Sequence, residues 1–169
     1  MEGLLPLLHL GSNFFLGRQE VALVPFRGTF DHTLDAKNRL TVPSRWRAAL
    51  AEGVVLAMPV DQKPCVVVWR PDEYAEYASE ALGALPALSS QRAELERFFF
   101  GKSHDVELDA AGRIMVPQGL RDSGKLHKDV VVVGVGKHLE LWDKATWNDH
   151  QPALFSGVQR VTERADDAA

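Results

Sequence analysis

Two stretches of seventeen residues decide the fold, because each is a version of the other. Residues 31–47 read DHTLDAKNRLTVPSRWR, and residues 105–121 read DVELDAAGRIMVPQGLR. Aligned without a gap at an offset of 74, they share eight identities: Asp, Leu, Asp, Ala, Arg, Val, Pro and Arg. The common pattern is Asp-x-x-x-Arg, then a short apolar run, then Val-Pro. This duplication predicts two equivalent structural units in one chain.

Each block predicts a β-hairpin followed by a short helix. Residues 35–38 and 109–112 suit the hairpin tips, because Asp favours the first position of a type I turn and the fourth position often needs a positive φ. Asn and Gly tolerate that conformation. The turn-shaping residues are therefore Asp35, Asn38, Asp109 and Gly112. Residues 39–42 and 113–116 are return strands, and the prolines at 43 and 117 suit the first position of a helix.

The repeat extends beyond the blocks to whole units with the order strand, turn, strand, short helix, hairpin, helix. We expect the last helix to run from about Asp143 to His150, with a polar tail after Phe155. A β-rich unit this short has too small a core and too many open edges to stand alone, so we expect strands of one half to pair with the other.

These patterns divide the chain into five segments. Residues 1–25 form an N-terminal extension, for which a start codon chosen upstream of the natural one is an alternative explanation. Residues 26–85 form the first repeat, 86–102 a linking helix, 103–153 the second repeat and 154–169 a C-terminal tail.

Composition restricts the class of protein. The net charge of −4 argues against a basic nucleic-acid coat, so any anion-binding surface must be local. The single cysteine, Cys65, rules out an internal disulfide, and its apolar surroundings predict a buried, unreactive thiol. No apolar run approaches the roughly 20 residues that a membrane span needs.

The strongest candidates for function are Arg39 and Arg113, each one residue beyond a hairpin tip. A guanidinium at the lip of a sheet can bridge phosphates or bind a guanine edge. Further cations of the first block would add phosphate contacts: Lys37 on the tip, and Arg45 and Arg47 on the following helix. An alternative stays open, in which the two candidate arginines only form ion pairs with the aspartates of their own tips.

No pattern predicts catalysis, a metal or a cofactor. A catalytic carboxylate pair needs burial or a close partner to separate its pKa values, and Asp35 and Asp109 are expected to be solvated. The histidines have no ligand spacing, and Gly134-Val135-Gly136 lacks the third glycine of a dinucleotide loop. Three adjacent aromatics at 98–100 cannot all face one core. Part of that cluster suits a subunit contact, and burial between the two halves is the alternative.

The doubled block, preceded by Phe26-Arg27-Gly28-Thr29-Phe30, resembles the bacterial MraZ proteins of the AbrB-like superfamily. The likeness covers residues 25–153. The resemblance implies an α+β fold, with two AbrB-like domains closing a swapped-hairpin, double-psi-type β-barrel with short peripheral helices. One departure is Asn38, which stands where the first motif usually has Gly.

The resemblance also implies a function. MraZ-like proteins are cytoplasmic, nucleoid-associated regulators that repress the promoter of their own division and cell-wall gene cluster. They form rings, here expected to be octamers or dodecamers, and bind tandem repeats in double-stranded DNA, with the motif arginines, here Arg39 and Arg113, at the DNA. The alternative from another class is an oligomeric assembly or interaction protein on the same fold that does not bind DNA.

Overall fold

A computed structural model of the protein describes residues 24–167, so the N-terminal extension lies almost wholly outside the described residues. The first half contains the elements β1 Phe26–Thr33, β2 Arg39–Thr41, α1 Ser44–Arg47, β3 Val54–Ala57, β4 Cys65–Trp69 and α2 Pro71–Gly83. Helix α3, Ser90–Gly101, connects the halves. The second half contains β5 His104–Val106, β6 Arg113–Met115, α4 Gln118–Ser123, β7 Asp129–Gly136, β8 His138–Asp143 and α5 Lys144–Asp167. Each element of the first half has a counterpart, in the same order, in the second.

The two halves complete each other's sheet. The main sheet has six strands in the order β1-β7-β8-β4-β3-β5, and every pair of neighbours is antiparallel. Strand β1 pairs with β7 of the other half, and its counterpart β5 pairs with β3. A second sheet of two strands joins β2 to β6. The expectation that strands pair between halves is confirmed.

An approximate twofold axis runs through the molecule, because equivalent residues of the two halves face each other. Leu40 pairs with Ile114, which holds the same place in the second block. In the main sheet, Val67 pairs with Glu140 at the centre of the β4–β8 ladder. The single chain is therefore folded like a dimer of two similar subunits.

The main sheet has a different core on each face, because successive side chains of a strand point to opposite faces. One face packs against β2, β6, α1 and α4 through a core that includes Trp46, Leu56 and Leu141. The other face is covered by α2 and α3 around Trp69 and by α5 around Trp142. Cys65 is fully buried on this second face, as predicted.

The hydrogen-bond ladders of the described residues do not close into a barrel. Strands β1 and β5 are the two edges of the main sheet and do not pair with each other, and β2 and β6 pair only with each other apart from one isolated bridge between Leu34 and Leu40. The closed barrel that we expected is thus replaced by an open antiparallel sheet with a two-stranded sheet beside it.

Three helix ends differ from expectation. Helix α5 continues to Asp167 instead of ending near His150, so the segment after Phe155 is helical and not an irregular tail. Pro43 and Pro117 are the residues before α1 and α4 and not their first residues. At the start of α5, the carboxylate of Asp143 accepts hydrogen bonds from the backbone N–H groups of Ala145 and Thr146, which stabilises the first turn.

The three adjacent aromatics at the end of α3 have different environments. Phe99 is buried against Tyr74 and Tyr77 of α2, whereas 63% of Phe100 is exposed. Phe99 therefore packs against the first half, and is not buried between the two halves. As the helical geometry requires, the cluster does not share one core.

Candidate nucleic-acid interface

Both hairpin tips have the same backbone geometry. In the first, the N–H of Asn38 donates to the carbonyl of Asp35 at 2.9 Å, and Asn38 has a φ of 59°. In the second, the N–H of Gly112 donates to the carbonyl of Asp109 at 2.9 Å, and Gly112 has a φ of 72°. Both fourth positions lie in the left-handed region that Asn and Gly tolerate better than other residues.

Each tip holds its arginine through one carboxylate. Asp35 Oδ1 accepts from the backbone N–H groups of Lys37 at 2.9 Å and Arg39 at 3.0 Å, and Asp35 Oδ2 accepts from Arg39 Nε at 2.7 Å. Asp109 repeats these three bonds with Ala111 and Arg113 at the same distances. The ion pairs of the alternative interpretation are therefore present in both tips.

These ion pairs leave much of each guanidinium unoccupied. The short contact uses Nε, and Arg113 makes no hydrogen bond through its terminal nitrogens to any residue within 24–167. The side chains of Arg39 and Arg113 remain 26% and 33% exposed. The aspartates thus fix the direction of the arginines without burying them.

The carboxylates of the tips are charged at neutral pH. The backbone N–H of Arg39, followed by its guanidinium, lowers the pKa of Asp35 below its ordinary value of 3.8. The backbone N–H of Arg113 and its guanidinium lower the pKa of Asp109 in the same way. Because both pKa values move down together, the two residues lack the separated pKa values of a catalytic acid and base.

The two tips lie side by side at the approximate twofold axis. The N–H of Val42 donates to the carbonyl of Gly112 at 2.9 Å, and the N–H of Val116 donates to the carbonyl of Asn38 at 3.0 Å. Arg39 Nη1 lies 3.9 Å from Asp109 Oδ2 of the other tip. One surface therefore presents both arginines, with the exposed Lys37 beside the first.

The arginines of the first short helix have separate environments. Arg45 is exposed and its guanidinium lies 4.7 Å from the centre of the Phe30 ring. Arg47 is half-buried and donates from Nε to the carbonyl of Val42 at 2.9 Å. The guanidinium of Arg45 is accessible to solvent, whereas the Nε–H of Arg47 is already used in the hydrogen bond to Val42.

The sequence analysis did not single out three basic residues beside the first tip. Arg121, His127 and Lys128 line an open crevice of about 640 Å³ together with Thr33, Leu34, Asp35, Ala36, Asn38 and Leu126. Arg121 is one of the eight identities between the blocks, so the alignment could have suggested it. His127 and Lys128 follow α4 and lie in no motif.

The described residues contain no group of three or more His, Cys, Asp or Glu side chains placed to hold a metal ion. Among the same residues, no helix has both the length and the apolar character needed to cross a membrane.

The geometry defines a class: a tandem-repeat α+β protein whose halves exchange strands and present two equivalent arginine-bearing hairpin tips on one surface. Comparison with known proteins identifies the family. Residues 26–95 and 99–167 match the family model described as "MraZ protein, putative antitoxin-like". The chain belongs to the MraZ family.

Curated relatives agree with this assignment over most of their length. The transcriptional regulator MraZ of Natranaerobius thermophilus is 34% identical over 142 residues, which cover 84% of this chain and 97% of the relative. That of Desulfitobacterium hafniense is 40% identical over 125 residues, 74% of this chain and 85% of the relative. That of Desulforamulus reducens is 34% identical over 142 residues, 84% and 98% of the two chains.

Proposed function

We propose that this protein is a DNA-binding transcriptional regulator, and that Arg39 and Arg113 are its principal contacts with double-stranded DNA. One observation carries the proposal: two arginines, held alike by Asp35 and Asp109, lie on one exposed surface at the axis that relates the halves. The names of the relatives, all transcriptional regulators, support the same function. Neither the relatives' names nor the tip geometry suggests an enzyme.

The aspartates contribute by preorganising the arginines. An arginine that is already held through Nε loses less side-chain freedom when its terminal nitrogens bind a guanine edge or a phosphate. In the proposed complex, Arg39 and Arg113 contact base edges or phosphates, and Lys37, Arg45 and Arg47 contact phosphates. This division assigns specificity to the two tips and much of the affinity to the surrounding cations.

The finer features of the function follow from avidity. With only a few cationic contacts, a single chain binds weakly and with strong salt dependence. We therefore propose a ring-shaped homo-oligomer, an octamer or dodecamer, that binds tandem repeats spaced by about one helical turn of DNA, roughly 10 bp. In this proposal the protein is cytoplasmic and nucleoid-associated, and represses the promoter of its own division and cell-wall gene cluster.

We also propose that the fold is a partly open form of the AbrB-like swapped-hairpin barrel, with domains at 26–85 and 103–153 and the linking helix between them at 86–102. The exchange of β1 and β5 between halves supports this assignment. The β2–β6 pair, which sets the two hairpins across one axis, also supports it.

A second candidate function is an oligomeric interaction protein that does not bind DNA. Exposed apolar side chains favour it: Phe100 at the end of α3, and Phe155, Val158 and Val161 on the outer part of α5. These side chains would serve a subunit contact in either function, so they do not by themselves decide between the two.

The experiment that tests the proposal is fluorescence anisotropy with labelled DNA from upstream of the gene. We expect Arg39→Ala and Arg113→Ala each to weaken binding by about 1–3 kcal/mol, or roughly 5- to 150-fold. Arg97→Ala is the matched control, because Arg97 is an exposed arginine on α3, which belongs to the cluster on the other face of the sheet. If wild-type protein does not bind this DNA, or both tip variants bind like Arg97→Ala, the proposal is wrong.

The spacing of the sites is tested separately. Moving one repeat by half a helical turn, about 5 bp, should reduce the affinity for tandem DNA toward that for a single site, because a rigid ring then cannot engage both. Equal affinity for both spacings would contradict the ring mechanism while leaving single-site binding intact.

A further inference from the structure

The side chains that line the crevice beside the first hairpin tip differ from those at the equivalent positions of the second. Its basic side chains come from Arg121 on α4 and from His127 and Lys128, which precede β7. Strand β1 pairs His32 with Val130, and its counterpart β5 pairs Val106 with Val54. Val130 is therefore the counterpart of Val54, and two residues earlier Lys128 is the counterpart of Glu52. By the same register, His127 corresponds to Ala51. Where the first tip has a histidine and a lysine, the second has an alanine and a glutamate.

Asn38 gives a steric reason for the crevice. At the second tip, Arg47 lies directly on Gly112: a Cβ added to Gly112 would stand 2.5 Å from Arg47 Nε and 2.7 Å from its Cδ. Asn38 has such a Cβ, so Arg121, the counterpart of Arg47, cannot occupy the same place on the first turn. Arg121 still donates from Nε to the carbonyl of Val116, at 3.2 Å against 2.9 Å for the equivalent bond of Arg47. The guanidinium of Arg121 therefore lines an open crevice.

One carboxylate lines the crevice, and two more lie beside it. Asp35 is the only carboxylate among the lining residues, and both its oxygens accept hydrogen bonds within the tip, from Lys37 and Arg39. Asp129 and Asp143 line an adjoining crevice with His127 and Lys128, and Asp143 Oδ2 is 2.9 Å from Nδ1 of His127. Lys128 makes no hydrogen bond or ion pair through its side chain to any residue within 24–167.

We propose that this crevice binds a backbone phosphate of the DNA held at the first tip, through Arg121 and Lys128, with His127 at its edge. The first repeat then makes a phosphate contact through Lys128 that the second repeat lacks, because Glu52 stands at the equivalent position, so the two halves of the approximate dimer hold DNA unequally. This inference rests on the proposed DNA-binding function. It adds residues from outside the duplicated tips to the interface and gives the bound protein a defined direction on its site.

The test measures the salt dependence of binding to upstream DNA by the full-length protein. Each lost phosphate contact reduces the slope of log K against log salt concentration by about one per engaged protomer. We expect this reduction for Arg121→Ala and Lys128→Ala. We expect no change for the control Arg97→Ala. Circular dichroism and size-exclusion chromatography establish that each variant keeps its fold and assembly.

A charge-neutral double variant separates a local contact from a general effect of net charge. The variant Lys128→Ala/Glu94→Ala keeps the net charge of −4, and because Glu94 is on α3, on the other face of the sheet, we expect it to lose the contact and bind with a lower slope. Recovery of the wild-type slope in this variant would overturn the proposal, and so would a wild-type slope in Lys128→Ala. Both failures differ from a failure of the proposed function, in which wild-type protein would not bind the DNA at all.

Asn38→Gly tests the steric origin of the crevice. With glycine there, Arg121 can lie on the turn as Arg47 does and move away from Lys128, so we expect Lys128→Ala to lower the slope less in this background than in wild type, with folding intact. An equal effect of Lys128→Ala in both backgrounds would show that the crevice does not depend on Asn38 and would overturn that part of the inference.

Discussion

Truncation of the two residues on the approximate twofold axis offers the most direct test of the exchanged fold. Leu40 and Ile114 are 2% and 1% exposed and lie opposite each other in the β2–β6 pair. Replacing either with Ala removes three buried carbons, worth roughly 0.8 kcal/mol each, and leaves a cavity. We therefore expect each single variant to lower the free energy of unfolding by about 3 kcal/mol. For a protein of this size that corresponds to a fall in Tm of about 6–12 °C.

The double variant measures the coupling between the two halves. Because the side chains are cross-strand neighbours in one core, the first truncation already removes their mutual contact. We expect Leu40→Ala/Ile114→Ala to cost less than the sum of the single variants by about 0.5–3 kcal/mol. Urea unfolding followed by tryptophan fluorescence, at one fixed protomer concentration, supplies the four free energies.

A control and a refuting result complete this experiment. Met115 is on the same strand as Ile114 but 59% exposed, so Met115→Ala should change the free energy of unfolding by no more than about 0.5 kcal/mol. Strictly additive single variants, or a cost for Ile114→Ala as small as that of the control, would refute a shared core at the axis.

Three further predictions follow from packing and titration. Gly134→Ala should lower the free energy of unfolding in urea by about 1–3 kcal/mol, because the new Cβ would stand 2.5 Å from the backbone nitrogen of Arg27 in β1. Gly83→Ala is the control, because a Cβ at Gly83 would meet no other atom within 4 Å. The lowered pKa values of Asp35 and Asp109 stabilise the folded state fully above pH 3.8, and this contribution is lost as the pH falls through the folded pKa values. An Asp35→Asn/Asp109→Asn variant should therefore lose less stability than wild type when acidified from pH 5 to pH 2–3, as measured by thermal unfolding. Burial raises the pKa of the Cys65 thiol, so a disulfide reagent at about pH 8 should modify it only after unfolding; modification of native protein would contradict its placement.

Local chemistry explains what the sequence could predict. Turns and short strands depend on nearby residues, so the hairpin tips at 35–38 and 109–112 could be predicted. The pairing between halves followed from a general argument about open edges. Its register, such as Leu40 opposite Ile114, depends on the packing of the whole chain and could not be derived.

Three other features could not be predicted from sequence patterns, each for a physical reason. Pro152 favours a helix end, because it removes one backbone donor, yet α5 continues through it to Asp167. Whether the ladders close into a barrel depends on the separation of β1 and β5, which no local pattern encodes. The crevice beside the first tip is formed by two distant segments, and Asn38 excludes there the close approach that Arg47 makes to Gly112 at the second tip. The sequence therefore showed Asn38 in place of glycine but not its consequence.

The exchange of strands also sets the kinetic order of folding. Because α3 joins the halves covalently, β1 meets β7 within one molecule, and the rate of forming the main sheet does not depend on protein concentration. A cut in the segment 84–89, between α2 and α3, before folding would turn the same step into a bimolecular encounter. A fragment that ends in this segment contains β1 but not β7, so it could complete its sheet only by binding another chain. The covalent link between the halves therefore turns an association between two molecules into a folding step within one.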